Sequence, residues 1–308
     1  MANTREIQSR MRSIEDTMKI TNAMYMISST HMRKARKKLE ETEMYFFTLQ
    51  SMMEKILRHL PDVDNIYFDE RKNKSEEDRV KGIIVVTADK GLAGAYNHNV
   101  LKAAMEEMEK KENYKLFVVG EIGRHFFVSK KIPIDEQFHY TAQNPSLHRA
   151  RFISETILEQ FKNGELDEVC IIYTSMKNSI SCESEVKELL PLCKKNVLAE
   201  KLHKAGIYEE EILFNPSPEA VLKNIVPDYV MGFIYGALVE SFCSEQNSRM
   251  MAMEAANKSA KEMIHELSIE YNRVRQAMIT QEITEVIAGA KAQKKKKMKK
   301  AGKEGHIR

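Results

Sequence analysis

Glycine and proline are scarce, twelve and seven in 308 residues. No glycine precedes Gly82 and no proline precedes Pro61; after Pro227 proline does not recur, and no glycine lies between Gly236 and Gly289. The scarcity excludes collagen-like and Gly/Pro-rich disordered classes. The placement leaves both ends of the chain without helix breakers, so both read as long helices. No uninterrupted apolar run approaches the ~20 residues of a membrane-spanning helix; stretches such as Ile83–Val86 have strand length. The opening MANTREIQSR lacks an apolar core, so neither a secretory leader nor a transit peptide is expected. The four cysteines, Cys170, Cys182, Cys193 and Cys243, form no CxxC pair and have no histidine at ligand spacing. They are expected to be reduced thiols in a cytosolic protein, with no structural zinc.

Charge is unevenly spread. Residues 291–308 carry nine Lys/Arg and one acid, Glu304, which leaves 39 basic and 44 acidic side chains in the remainder. The body is mildly acidic, and the pI of about 8.4 comes from the tail. That tail reads either as a disordered, solvated extension or as a segment attracted to an anionic surface.

The N-terminal segment opens with Asn3 as a helix cap and Glu6 three residues on, close to a capping box. Then Ile7, Met11, Ile14, Met18, Thr21, Tyr25, Ser28, Met32, Ala35 and Leu39 follow a four-three repeat, a heptad seam. Ile20, Ala23, Met24 and Ile27 add apolar character on a second face. As one helix, residues 3–60 would extend about 85 Å. The C-terminal segment from Asp228 to Ala290 has a comparable seam: Met253, Ala256, Ala260, Met263, Leu267, Tyr271, Val274 and Met278. Its step from Leu267 to Tyr271 reads as a stutter. Two seams of like length at opposite ends are expected to pair antiparallel. Most of the nineteen methionines fall in these two segments, where they fill gaps in a seam.

Between them the pattern alternates. Strands are expected at Gly82–Thr87, Lys115–Gly120 and Val169–Tyr173. Helices are expected at His98–Lys111, Ile122–Ser129 and Ser146–Lys162, the last capped by Ser146. This is an α/β domain with a largely parallel, Rossmann-like sheet. Residues 61–80 and 193–217 read as loops. The expected division is a helix over 1–60, the α/β domain with flanking loops over 61–217, a helix over 218–290 and a basic disordered tail over 291–308.

Little here carries chemistry. Thr87–Gly94 sits where a strand hands over to a helix, a common phosphate position. It matches neither GxGxxG nor GxxxxGK[ST], and a tight turn needing Gly91 or Gly94 is the simpler reading. The nine histidines are scattered, and no nucleophile, base and acid have recognisable spacing. No catalytic residue, cofactor or metal is expected.

Three segments carry a resemblance. Arg5–Ala35 contains a Lys-Ile-Thr-x-Ala-Met-x-Met core at Lys19 to Met26. The second is VVTADKGLAGAYNHNVL, Val85 to Leu101, and the third runs from Ser244 to Ala290. Together they resemble the gamma subunits of F-type ATP synthases. The resemblance implies a long antiparallel coiled coil of the terminal helices, acting as a rotor shaft, plus a central Rossmann-like domain. It implies no catalysis by the chain itself, and partners in the alpha and beta subunits, the epsilon subunit and the ring of c subunits, without nucleic acid or direct membrane insertion. It places the chain peripherally on the cytoplasmic side of a bacterial cell membrane. It further implies that Arg275, Gln276, Thr280 and Glu282 contact beta, that Asp89, Lys90, Leu92 and Ala93 form a contact loop, and that Lys19 and Met24 lie in the matching core of the first helix. Two features depart from the family pattern. Phe214-Asn215-Pro216 lacks the acid of an aromatic–acid pair, for which Glu209 to Glu211 would have to substitute, and the Lys-rich tail extends past Ala290. The competing readings are a free α/β nucleotide-binding protein with helical arms and a coiled-coil scaffold.

Overall fold

The computed structural model describes residues 4–59, 65–69, 71, 74–178, 181–192, 215 and 217–304, with side chains to 295. Glu209 to Glu211, Phe214, Pro216 and Cys193 lie outside the described residues. Contacts divide the chain into two units. The first holds residues 1–24 and 253–308, the second residues 25–252.

The first unit is built from the outer parts of two helices, α1 (Thr4–His59) and α5 (Pro218–Glu304). On α1, Ile7 is buried, and Met11, Ile14, Met18 and Thr21 are half-buried between exposed neighbours. The N-terminal seam is therefore where its period puts it. On α5 the inward residues are Met253, Asn257, Ala260, Ile264, Leu267, Tyr271 and Val274. This is an unbroken four-three repeat, and it corrects the sequence reading in two ways. There is no stutter, and Ala256, Met263 and Met278 are exposed. One seam position is polar: the Thr21 hydroxyl donates to Asn257 Oδ1. An antiparallel register through that pair brings Ile14 level with Ile264 and Ile7 level with Tyr271. Both spacings follow from the equal helical rise. The helix also continues through Lys291 to Glu304, where disorder was expected. Lysine, glutamine, alanine and methionine are all good helix formers.

The second unit is three-layered. Strands β1 (Lys81–Val86), β2 (Tyr114–Val119), β3 (Glu168–Met176) and β4 (Cys182–Leu190) form one sheet in the order β2-β1-β3-β4. β1 lies parallel to β2 and β3, and β4 is antiparallel to β3. Alternation along the strands sends side chains to two separate cores. Ile84, Val86, Phe117, Val119, Ile171 and Tyr173 meet α1, α4 (Leu147–Lys162) and the first part of α5. Ile83, Val85, Leu116, Val118, Cys170 and Ile172 meet α2 (Tyr96–Met108) and α3 (Glu121–Ser129). Ser146 caps α4, accepting from the Arg149 N–H.

In this unit α5 is a core helix. An 18-residue window of it reaches a mean hydropathy of 1.2, enough by length and composition to cross a membrane, but 61% of that window is buried within the protein. Gly232 is needed here, because a Cβ at that position would stand 2.0 Å from the Phe46 ring of α1. The helix opens on Ser217, whose hydroxyl accepts from Ala220 N–H. It tolerates Pro227 in its interior at the loss of one backbone donor.

Candidate functional site: a braced loop and an exposed helix

Sequence reading singled out three groups of residues: the loop residues lie in the second unit, and the two helical groups lie in the first.

The loop after β1 holds the first group. Asp89 is half-buried. Its carboxylate accepts from Glu121 N–H at 3.2 Å, Ala142 N–H at 3.0 Å and Gln143 N–H at 3.0 Å. It thereby supplies the negative charge favoured at the N-terminus of α3 and pins two loops together. Ala93 is buried with Ala88 and Tyr96. Lys90 and Leu92 are exposed, Leu92 by 66% and at a positive φ of 62°. The loop thus offers Lys90 and Leu92 outward and uses Asp89 and Ala93 to hold itself. The Cα of Gly94 also needs a positive φ, 56°, which glycine adopts freely.

Polar residues of α5 brace this loop, and the sequence reading did not find them. Arg249 donates through Nη2 to the carbonyls of Lys90 at 3.3 Å and Gly91 at 3.1 Å and to Glu245 Oε1 at 2.5 Å. Ser241 Oγ lies 2.7 Å from the Tyr96 hydroxyl, and Ser244 donates to the Thr174 carbonyl at 3.1 Å. Burial raises the Glu245 carboxyl above its ordinary value, against the pull of the adjacent Arg249. Burial likewise raises the Tyr96 hydroxyl. The available signal was a run of polar residues, Ser244-Glu245-Gln246-Asn247, on a helix otherwise rich in apolar ones. Polar side chains in such a place are buried only when paired.

The second group lies on α5 beyond its seam. Val274 is the last half-buried residue, and every residue from Arg275 to Lys295 is exposed. Arg275, Gln276, Thr280 and Glu282 all lie here, with the Thr280 hydroxyl turned back to the Gln276 carbonyl at 2.9 Å. Ile279, Ile283, Val286 and Ile287 are each at least 46% exposed. Their spacing of four, three and one places them on one helix face. Lys19 is exposed and pairs with Asp16, while Met24 is half-buried.

No group of His, Cys, Asp and Glu able to hold a metal occurs among the described residues. Cys170, Cys182 and Cys243 are free thiols. Burial pushes Cys170 up to about 12 and Cys243 up to about 11, which makes both poor nucleophiles.

A doubly wound domain joined in one chain to a helix hairpin, with a braced outward loop and a bare apolar helix face, defines a protein built for contact with other chains. Comparison with known proteins gives the family. Residues 3–293 match the family model described as ATP synthase. An ATP synthase gamma chain of Acetivibrio thermocellus is 43% identical over 298 residues, covering 96% of this chain and all of that one. One of Caldanaerobacter subterraneus subsp. tengcongensis is 41% identical over 292 residues, covering 93% and 98%. A sodium-ion-specific gamma chain of Acetobacterium woodii is 36% identical over 302 residues, covering 94% and 98%. Among solved structures, the central stalk and c-ring of the Tetrahymena thermophila mitochondrial ATP synthase contains a chain with 26% identity and a TM-score of 0.55, covering 77% of this chain and 99% of that one. A chain of the Euglena gracilis mitochondrial ATP synthase has 17% identity, a TM-score of 0.65 and 94% coverage of both, a likeness of fold. This chain belongs to the ATP synthase gamma-chain family.

Proposed function

We propose that this chain is the central-stalk rotor subunit of a bacterial F-type ATP synthase. It works without catalysis of its own, coupling ion flow through the c-ring to conformational cycling of the beta-subunit sites. The observation that carries the reading is the end of the seam at Val274. Up to that point two helices share one apolar stripe and stiffen each other. Beyond it a single helix keeps an apolar face with no partner among the described residues. Such a face marks a surface for contact with other chains, and the bore of an alpha–beta ring fits it.

Arg275 and Gln276 then lie where the helix leaves its partner. A guanidinium there holds a carboxylate through charge-assisted bonds that exchange as the helix turns. A rotating, asymmetric contact favours different beta conformations in turn, which is a population shift imposed mechanically. Lys90 and Leu92 are the outward contacts of the loop. Epsilon and the c-ring are the partners of the second unit, and the assembly lies peripherally on the cytoplasmic face of the membrane.

The test is reconstitution with alpha and beta subunits. The parent chain should restore ATP turnover to the ring. Arg275→Ala should assemble and bind nucleotide as the parent does, with turnover reduced severalfold. Failure of the parent chain to join the ring would sink the reading. Parental turnover by an assembled Arg275→Ala complex would remove Arg275 from the mechanism.

A further inference from the structure

A groove of about 500 Å³ lies between three helices of the second unit: α1, the start of α4 and the first part of α5. Its floor is apolar, made by Phe46, Leu147 and Met231. On the α1 side Tyr45 is 52% exposed, with its ring edge-on to Phe46 at 5.3 Å between centroids. Three charged residues line the same groove: Glu41 of α1, Arg151 of α4 and Asp228 of α5. Among the described residues none of the three is in an ion pair. Charges that share a groove without pairing leave their bonding capacity to a third group.

The spacing of the two acids follows from how the helices pair. Phe46 packs over Gly232, and one turn along α1 the side chain of Thr42 is hydrogen-bonded to that of Tyr235. The two helices therefore run antiparallel here. Asp228 lies four residues before Gly232, and Glu41 lies five residues before Phe46, so they fall on opposite sides of that contact. At the helical rise of ~1.5 Å per residue, the two acidic positions are roughly 13 Å apart along the groove. They are the two ends of an apolar floor and not one acidic cluster.

This arrangement selects the ligand. An anion would meet two carboxylates against one guanidinium. A compact ammonium would reach one acid only. A linear aliphatic polyamine answers both ends. An extended chain advances ~1.2 Å per bond, so the end nitrogens of spermidine stand about 11 Å apart, close to the interval between the acids. Its methylene segments gain by leaving water for the apolar floor, and a cation beside the Tyr45 ring gains attraction to the ring face.

We propose that this groove binds a linear aliphatic polyamine. One terminal ammonium meets Glu41, the other meets Asp228, and the methylene chain lies on Phe46, Leu147 and Met231. Arg151 is a like charge in the lining and holds the affinity down. The bound ligand ties α1 to α5 within the second unit.

Spermidine, titrated into the full chain at constant ionic strength, is the probe, with isothermal calorimetry as the readout and thermal melting of each variant as the check on folding. The parent should bind one equivalent saturably. Glu41→Gln and Asp228→Asn should each weaken binding by roughly fivefold, the upper worth of an exposed ion pair. Arg151→Gln should tighten it. Butane-1,4-diamine, with about 6 Å between its nitrogens, should bind more weakly than spermidine. Glu106→Gln, which removes an exposed acid on α2 outside the groove, should bind as the parent does. No saturable binding by the parent, unchanged binding in both acid variants, or an equal loss in Glu106→Gln would overturn the proposal. Weaker binding in Arg151→Gln would overturn the cationic ligand class, and equal binding of the short diamine would overturn the two-ended mode. None of these groove residues is assigned to ring contact, so failure here leaves the rotor reading standing.

Discussion

Asp89 is the residue at which two demands meet. The family resemblance makes it part of a contact loop, whereas its carboxylate is spent on three backbone N–H groups of its own chain. Charge-assisted bonds of this kind are stronger than neutral ones, and removing the acceptor leaves the donors unsatisfied. Asp89→Ala is therefore expected to cost about 2–4 kcal/mol, read as a lower urea midpoint of the purified chain. Leu92→Ala, at an exposed side chain, should leave that midpoint unchanged. Equal midpoints for Asp89→Ala and the parent would show that the brace is dispensable.

Glu185 gives a prediction in pH. The Lys177 ammonium and the Ser175 hydroxyl hydrogen-bond its carboxylate and hold it down to about 2, from an ordinary 4.5. A carboxyl with a depressed folded value contributes stability that is complete above its unfolded value. That contribution is lost as pH falls from about 4.5 toward 2. Lys177→Met should move the Glu185 titration upward in an NMR series and flatten the acid dependence of stability over that window. An unmoved Glu185 titration would remove Lys177 as the cause.

At the scale of elements, the C-terminal seam separates period from phase. The sequence supports a heptad repeat, but adjacent apolar pairs such as Met263-Ile264 satisfy it equally well one residue apart. The fold puts Ile264 inward and leaves Met263 46% exposed, because Thr21 fixes the register through Asn257. Ile264→Asp should therefore destabilise the hairpin by about 2–4 kcal/mol, the cost of an unpaired charge at a packed position. Met263→Asp should melt as the parent does. The reverse order would put the seam back where the sequence reading placed it.

β4 shows the opposite difficulty. Cys182–Leu190 is dominated by Glu and Lys at its exposed positions, and its hydrophobic signal is weak. Among the described residues it pairs along one edge only, and charged side chains protect such an edge from further pairing. A strand of that kind is specified by its neighbour β3 and not by its own pattern. The buried strands β1, β2 and β3 were legible, since continuous apolar runs between turn residues have few other uses.

For the whole molecule, the basic end provides the test. The family match stops at residue 293, yet α5 runs on to Glu304. Lys291 and Lys295 are spaced i,i+4, and such a like-charge pair opposes the helix by about 0.2–0.5 kcal/mol. Through Lys295 the helix adds nothing to the hairpin seam, which ends at Val274. A chain truncated after Ala290 should join the ring and turn over ATP as the parent does. Circular dichroism of the parent should gain helix with added salt, which screens the lysines. Loss of assembly on truncation would make the extension a structural element.

The sequence by itself determined what local repetition can encode. A period of three and four fixed two long helices, apolar runs bounded by turns fixed three parallel strands, and the core motif around Lys19–Met26 pointed to the family. Tertiary structure alone decided everything that depends on which distant groups meet. It turned Asp89 inward, chose Ile264 over Met263, gave the charged segment Cys182–Leu190 its strand, and buried Glu245 and Arg249 as a pair beneath the loop. The reason is common to all of these. Period is a property of neighbours along the chain, whereas phase, pairing and the satisfaction of a buried polar atom are set by partners tens to hundreds of residues away.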